Sequence, residues 1–90
     1  MEIIEIRSLT KKKEELEEQL HNFWEEMKSE YSANSIQIFV KANLDTDFVI
    51  LLHNDSNTIR KGGSSIGQRL TSALRDYGMI NHTVWNEINK

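Results

Sequence analysis

The chain has 90 residues, a net charge of −3 and no cysteine. This length predicts one domain over residues 1–90, and the lack of cysteine excludes disulfides, thiolate metal sites and a cysteine nucleophile. No basic segment leads into an apolar run at the amino terminus, and no apolar run approaches the ~20 residues of a membrane span. We therefore expect a soluble, cytoplasmic protein that has no membrane partner.

The first apolar segment allows two secondary structures. Residues 3–7 are short and β-branched, and their alternation places Ile4 and Ile6 on one face, which favours a strand. No proline or glycine separates them from the helical pattern that follows. The alternative is therefore that they form the first turns of that helix.

A strong helical pattern runs on from Leu16. Apolar side chains share one face at Leu16, Leu20, Phe23, Trp24, Met27 and Tyr31, and glutamates occupy many of the other positions. Ser8 or Thr10 is the predicted amino-terminal cap, and Asn34 is placed to end the helix. We interpret this segment as a core-facing helix with a solvated acidic back.

Two strands and a long connection follow. Residues 35–42 alternate between apolar and other side chains and predict a strand, and residues 43–47 hold turn-forming side chains. Residues 48–52 are apolar on both faces, as in a central strand. The pair predicts an antiparallel hairpin. Residues 53–63 are polar, and connections of this length are more often functional or mobile than purely connective.

The second helix has the clearest boundaries. Ser65 and Gln68 have capping-box spacing, with Ser64 as the alternative cap. Gly78 lies in position for a glycine cap at the carboxyl end. Residues 83–88 then predict a closing strand.

The order of elements is βαββαβ, which predicts an α+β protein with a two-layer, ferredoxin-like sandwich. Both helices then cover one face of the sheet, and the other face is open to solvent or to a partner. If residues 3–7 are helical, the fold becomes αββαβ, with a three-stranded sheet and an extended N-terminal helix.

The segment that leads into the second helix is the best candidate for a ligand site. Its glycines allow close backbone approach, a helix N-terminus presents unpaired N–H groups, and its serines and basic residues add donors and charge. The candidate anion site consists of Arg60, Lys61, Gly62, Gly63, Ser64, Ser65 and Arg69. The alternative is that the glycines only make the turn and the serines only cap the helix.

Nucleotide hydrolysis is not expected at this segment. Gly62 and Gly67 have the spacing of a Walker A loop, but Gln68 and Arg69 stand where lysine and serine or threonine are required. The expected anionic ligand is a phosphate-bearing small molecule or a nucleic acid. The chain as a whole is acidic with one basic patch, so nucleic acid is a possible but not a favoured partner.

Two histidines are the candidates for acid–base or metal chemistry. His53 and His82, together with Asp55, could form such a site only if the imidazoles converge in one cleft. Two histidines without close spacing are a weak signal. We therefore predict no catalytic residue, no metal and no cofactor.

Aromatic side chains give the candidate interface. Trp24, Phe39 and Trp85 are its predicted residues, because a small domain often places a large aromatic side chain on a docking surface. An edge strand at residues 36–41 or 83–88 offers pairing across a twofold axis. The sequence therefore favours a non-catalytic interaction or assembly domain, either a homodimer or bound to another protein, and the alternative is an anion-binding module.

Overall fold

The structure is a computed structural model that describes residues 1–27, 36–53 and 64–88. In it one sheet carries two helices on one face, so the chain is an α+β protein with two layers. The strands are β1 (Glu2–Ser8), β2 (Ile36–Lys41), β3 (Leu44–Leu52) and β4 (Gly78–Val84), and the helices are α1 (Lys13–Met27) and α2 (Ser65–Leu74). The strand order is β2-β3-β1-β4, and every neighbouring pair is antiparallel.

Strand β1 lies in the middle of the sheet and pairs with both β3 and β4. Its alternation decides the question left open at residues 3–7, because Ile4 and Ile6 are buried on one face as a strand requires. The alternative fold with a three-stranded sheet and an extended N-terminal helix is therefore not the one observed.

The core lies between the two helices and the sheet. Strands β1, β2 and β3 and both helices contribute aliphatic side chains and one aromatic, and burial of this apolar surface is the main stabilising term. The buried apolar residues are Ile4, Ile6, Leu16, Leu20, Met27, Ile36, Phe48, Ile50, Leu52, Leu70 and Leu74. Phe23 and Trp24 of α1 pack partly buried against them, so the predicted stripe of α1 is the core-facing one.

The hairpin turn is tighter than residues 43–47, and that prediction was wrong. The chain turns at Ala42 and Asn43, and β3 begins at Leu44 directly opposite Lys41. A shift of register between Val40 and Lys41 accommodates the extra residues of β3. Asp47, which the sequence assigned to the turn, is therefore a strand residue that pairs with Arg7 of β1.

The last strand was predicted too late in the chain. It is Gly78–Val84 rather than residues 83–88, because β1 pairs with it along its whole length from Ser8 to Glu2. Gly78 opens this strand with an extended backbone (φ 169°), not a left-handed cap. A Cβ atom at Gly78 would overlap the carbonyl of Arg7, so the glycine permits close strand contact there.

The predicted ends of α1 met different outcomes. Ser8 is the last residue of β1, and its hydroxyl donates to the Thr46 carbonyl oxygen at 2.9 Å, so it does not cap the helix. Thr10 begins a 3₁₀ turn, Thr10–Lys12, that leads into α1. The predicted end at Asn34 lies outside the described residues.

Candidate functional site

The amino terminus of α2 is capped by Ser64, the alternative of the two predicted caps. The Ser64 hydroxyl accepts a hydrogen bond from the Gly67 N–H at 3.1 Å, and the Ser64 carbonyl accepts from the Gln68 N–H at 2.9 Å. Ser65 is the first helical residue and is exposed. The capping box predicted for Ser65 and Gln68 is therefore wrong, because the cap residue is Ser64, one position earlier.

The carboxylate of Glu2, near the start of the chain, accepts hydrogen bonds at this helix terminus. Glu2 of β1 has no exposed side-chain surface. The Ser64 N–H donates to Glu2 Oε1 at 2.9 Å, and the Ser64 hydroxyl donates to Glu2 Oε2 at 2.6 Å. His82 Nε2 lies 3.0 Å from Glu2 Oε1, and because a carboxylate only accepts, that nitrogen carries the proton. We call these three residues the Glu2 cluster.

Gly67 makes room for the Glu2 cluster. In an ordinary capping box the third helical residue is Glu or Gln, whose side chain accepts from the N–H of the cap residue. Here that position is Gly67, which has no side chain, and Glu2 supplies the carboxylate from β1 instead. A Cβ atom on Gly67 would overlap Glu2 Oε1. The cap is thus completed by a residue 62 positions away from Ser64 in the chain.

The predicted anion site is only partly described. Arg60, Lys61, Gly62 and Gly63 lie outside the described residues. Ser64 directs both its N–H and its hydroxyl to Glu2, and the described end of α2 thus holds a carboxylate of the chain itself. An external anion reaching these donors would have to displace Glu2.

Arg69 does not point to the terminus that Ser64 caps. It lines a groove between α1 and α2, beside Phe23 and Tyr77. Of the predicted anion-site residues, the structure brings Ser64 together with Glu2 and His82, neither of which the sequence assigned to that site. The anion-binding hypothesis for residues 60–63 stays a prediction.

The two histidines do not converge. His82 is on the face of the sheet that the helices cover, opposite Ile4 of β1 and in contact with Glu2. His53 Nε2 lies 3.1 Å from Gln37 Oε1 on the other face. Within residues 1–27, 36–53 and 64–88, no group of three or more histidine, aspartate or glutamate side chains is arranged to hold a metal ion. Asp55 lies outside those ranges.

The face of the sheet opposite the helices carries an apolar stripe. Phe39 pairs directly with Val49 across β2 and β3, and Leu51 pairs directly with Ile3 across β3 and β1. We call these four residues the stripe. Phe39 is 47% exposed. No described helix covers this face, so the stripe presents apolar surface to solvent.

Trp85 extends the exposed apolar surface beyond β4. Its backbone N–H donates to the Met1 carbonyl oxygen at 2.7 Å, and its indole N–H donates to the Thr83 hydroxyl at 2.9 Å. Thr83 pairs with Ile3 of the stripe, and the bond to its hydroxyl puts the indole on the same face. Trp85 is 57% exposed. Phe39 and Trp85, predicted as interface residues, therefore lie on one face of the sheet.

Charged side chains border the stripe on one side. Arg7 Nε donates to Asp47 Oδ1 at 3.1 Å, and a second guanidinium nitrogen donates to Oδ2 at 3.3 Å. Glu5 lies between Ile3 and Arg7 on β1 and is exposed. Among the described residues, Glu5 has no hydrogen-bond or ion-pair partner. Unlike charges therefore alternate along this border.

A groove of about 520 Å³ opens between α1 and β2. Most of its lining is apolar, with one acidic residue and one histidine on the α1 side. The lining residues are Glu17, Leu20, His21, Trp24, Ile38, Phe39, Val40 and Phe48. Trp24, the third predicted interface residue, is therefore in this groove and apart from Trp85.

In the described part of the chain, no helix is both long and apolar enough to cross a membrane. No protein-family model matches the chain, and searches of curated proteins and of solved structures also found no match.

Proposed function

We propose that this chain is a small non-catalytic interaction domain that forms a homodimer through the helix-free face of its sheet. The observation that carries the proposal is the stripe, in which Phe39, Val49, Leu51 and Ile3 form two adjacent cross-strand pairs on a face without a described cover. Contiguous exposed apolar surface on a small protein commonly marks an association site.

The charged border supports a second copy as the occupant of this face. Glu5 is exposed and lies beside the Arg7–Asp47 ion pair, so the border holds charges of both signs. Two copies of this face can therefore meet across a twofold axis without opposing a single sign of charge. A border of mixed charge favours specific association over indiscriminate apolar contact.

We also propose the ferredoxin-like arrangement for the two-layer fold. The order of elements along the chain, βαββαβ, and the strand order β2-β3-β1-β4 with antiparallel neighbours support it. In this arrangement both helices lie on one side of the sheet. The opposite side is then available for a twofold contact.

Substitutions at adjacent residues of β2 test the dimer. Phe39 and Val40 both line the groove beside α1 and are 47% and 51% exposed, but only Phe39 belongs to the stripe. We expect Phe39→Lys to convert the dimer to a monomer and Val40→Lys to leave it intact. Light scattering during size-exclusion chromatography, at protein concentrations of about 10 to 100 μM, measures the mass over the range of a micromolar Kd.

The paired variants make the outcome unambiguous. A monomeric wild-type chain over that whole range would reject the homodimer. Loss of the dimer in Val40→Lys but not in Phe39→Lys would assign the contact to the other side of β2 and reject the stripe as the interface. Far-ultraviolet circular dichroism of both variants confirms that any change in mass occurs in folded protein.

A further inference from the structure

The groove between α1 and β2 is a second surface, on the helix-covered side of the sheet. We propose that it binds an extended peptide segment of a partner protein, one in which apolar and basic residues alternate, and that this segment adds to β2 as a further strand. The homodimer contact lies on the opposite face, and Phe39 is the residue that the stripe shares with the groove lining.

The edge of the sheet supplies the backbone partners for such a peptide. Strand β2 is terminal in the order β2-β3-β1-β4, and among the described strands it pairs with β3 alone. An edge strand presents a row of N–H and C=O groups that a further strand can pair with. Its length, Ile36–Lys41, is six residues, which is the usual length of a strand.

The groove supplies pockets for alternate side chains of the added strand. Ile38 and Val40 of β2 and Phe48 of β3 face α1, and Leu20 and Trp24 of α1 form the facing wall. Val40 is 51% exposed although it lies on the helix-covered side. In strand addition the backbone bonds give affinity, and pockets for every second side chain give specificity. An apolar side chain at alternate peptide positions fits this lining.

The charge of α1 selects a basic partner. Between residues 14 and 26 the helix has six glutamates and no lysine or arginine. Glu17 is on the rim of the groove, half exposed, and its only described ion pair is a long one of 3.9 Å to Lys13. Lysine or arginine at the solvent-facing positions of the peptide would lie beside this acidic wall.

The same charge argues against a second copy of this chain as the occupant. Pairing of β2 with its own counterpart would bring two α1 helices to the seam, each with its row of glutamates. Like charges placed together in an interface are unfavourable. In addition, the only charged residue of β2 is Lys41, at its end. A second β2 strand therefore lacks the alternating basic residues that the acidic wall favours.

The test uses three synthetic peptides of about six residues, the usual length of a strand. One alternates valine and lysine, one alternates valine and glutamate, and one is the valine–lysine peptide with N-methylated backbone amides. Fluorescence anisotropy measures the affinity of each labelled peptide, and amide chemical shifts show whether Ile36–Lys41 responds. We expect only the unmodified valine–lysine peptide to bind, and its affinity to fall as salt is raised.

Two charge reversals on α1 provide the matched pair of variants. Glu17→Lys should weaken binding of the valine–lysine peptide by about 5- to 10-fold, through loss of attraction and gain of repulsion at a half-exposed site. Glu15→Lys makes the same change of net charge. Glu15 lies one helical turn before Gln19, and Gln19 lines the groove on the other side of α1, next to α2. We expect Glu15→Lys to change the affinity by less than about twofold, since exposed charges at this separation are screened.

Several results would overturn the inference. These are the absence of binding by the valine–lysine peptide, equal binding of the glutamate peptide, full binding of the N-methylated peptide, or equal effects of Glu15→Lys and Glu17→Lys. If Val40→Lys rather than Phe39→Lys dissociates the homodimer, the second copy is the occupant of this edge. The peptide measurements on Leu51→Lys, which changes the stripe at a residue outside the groove lining, separate this inference from the proposed dimer.

Discussion

The two faces of the sheet distribute polarity in opposite ways. On the covered face, the carboxylate of Glu2 is completely buried and accepts hydrogen bonds from Ser64 and His82. On the open face, its neighbour Ile3 belongs to an apolar stripe that no described helix covers. A buried charge persists only where hydrogen bonds replace its hydration. The covered face therefore uses polarity to join α2 to β1, and the open face keeps apolar surface for association.

Removal of the buried carboxylate should have the largest effect on the stability of the covered face. Glu2→Ala leaves the Ser64 N–H and the His82 N–H without an acceptor, and we expect the free energy of unfolding to fall by about 3 kcal/mol. Glu2→Gln keeps an acceptor and the shape of the side chain, so its effect should lie between wild type and alanine. Urea unfolding followed by circular dichroism measures all three proteins.

Glu5→Ala is the control on the open face of the same strand. Glu5 is exposed, so its removal should change the free energy of unfolding by no more than about 0.5 kcal/mol. Equal losses for Glu2→Ala and Glu5→Ala would contradict the distinction between the faces. The same result would also reject the Glu2 cluster as the joint between α2 and β1.

A smaller effect is expected from a single methyl group on α2. Alanine is favoured over glycine in a helix interior by about 1 kcal/mol, so helix propensity alone predicts that Gly67→Ala is stabilising. The Cβ atom would overlap Glu2 Oε1, and the carboxylate would have to move off its donors. We expect a net loss of about 1 to 2 kcal/mol, because the weakened hydrogen bonds outweigh propensity.

Ser72→Ala in the same helix separates these two contributions. Ser72 is exposed, so alanine there should raise the free energy of unfolding by up to about 0.5 kcal/mol through propensity alone. Urea unfolding of both variants gives the comparison. A gain in stability for Gly67→Ala would show that the Glu2 carboxylate does not need the space left by the glycine.

Local patterns were sufficient for most of the fold. The alternation of Ile4 and Ile6 indicated β1, and the helical spacing that begins at Leu16 indicated α1, because a covered face imposes its period on the side chains. The same argument led to the two-layer α+β arrangement. Phe39, predicted as an interface residue, lies on the outer face of β2 as part of the stripe.

Long-range pairing explains what the local patterns could not show. The start of β4 was predicted too late because the pattern indicates a turn at Asn81, whereas β1 pairs with Asn81 and with His82. Glu2 has the parity of Ile4 and Ile6, which was the available signal that a carboxylate faces the core. Its partner Ser64 is 62 residues away in sequence, and no local rule joins the two. The glycines and serines that suggested an external anion were compatible with an internal one.

The Ser64 cap allows a test of the polar contact between α2 and β1. Ser64 and Ser65 are adjacent and chemically identical, but only Ser64 holds both the Gly67 N–H and the Glu2 carboxylate. We expect Ser64→Ala to lower the free energy of unfolding by about 1 to 2 kcal/mol, as for loss of a helix cap, and Ser65→Ala to change it by less than about 0.5 kcal/mol. In the Glu2→Ala background the effect of Ser64→Ala should shrink, because residues of one hydrogen-bond network are not additive. Additive losses in that double-mutant cycle would mean that Ser64 caps α2 independently of β1. The Glu2 cluster would then not be what connects α2 to β1.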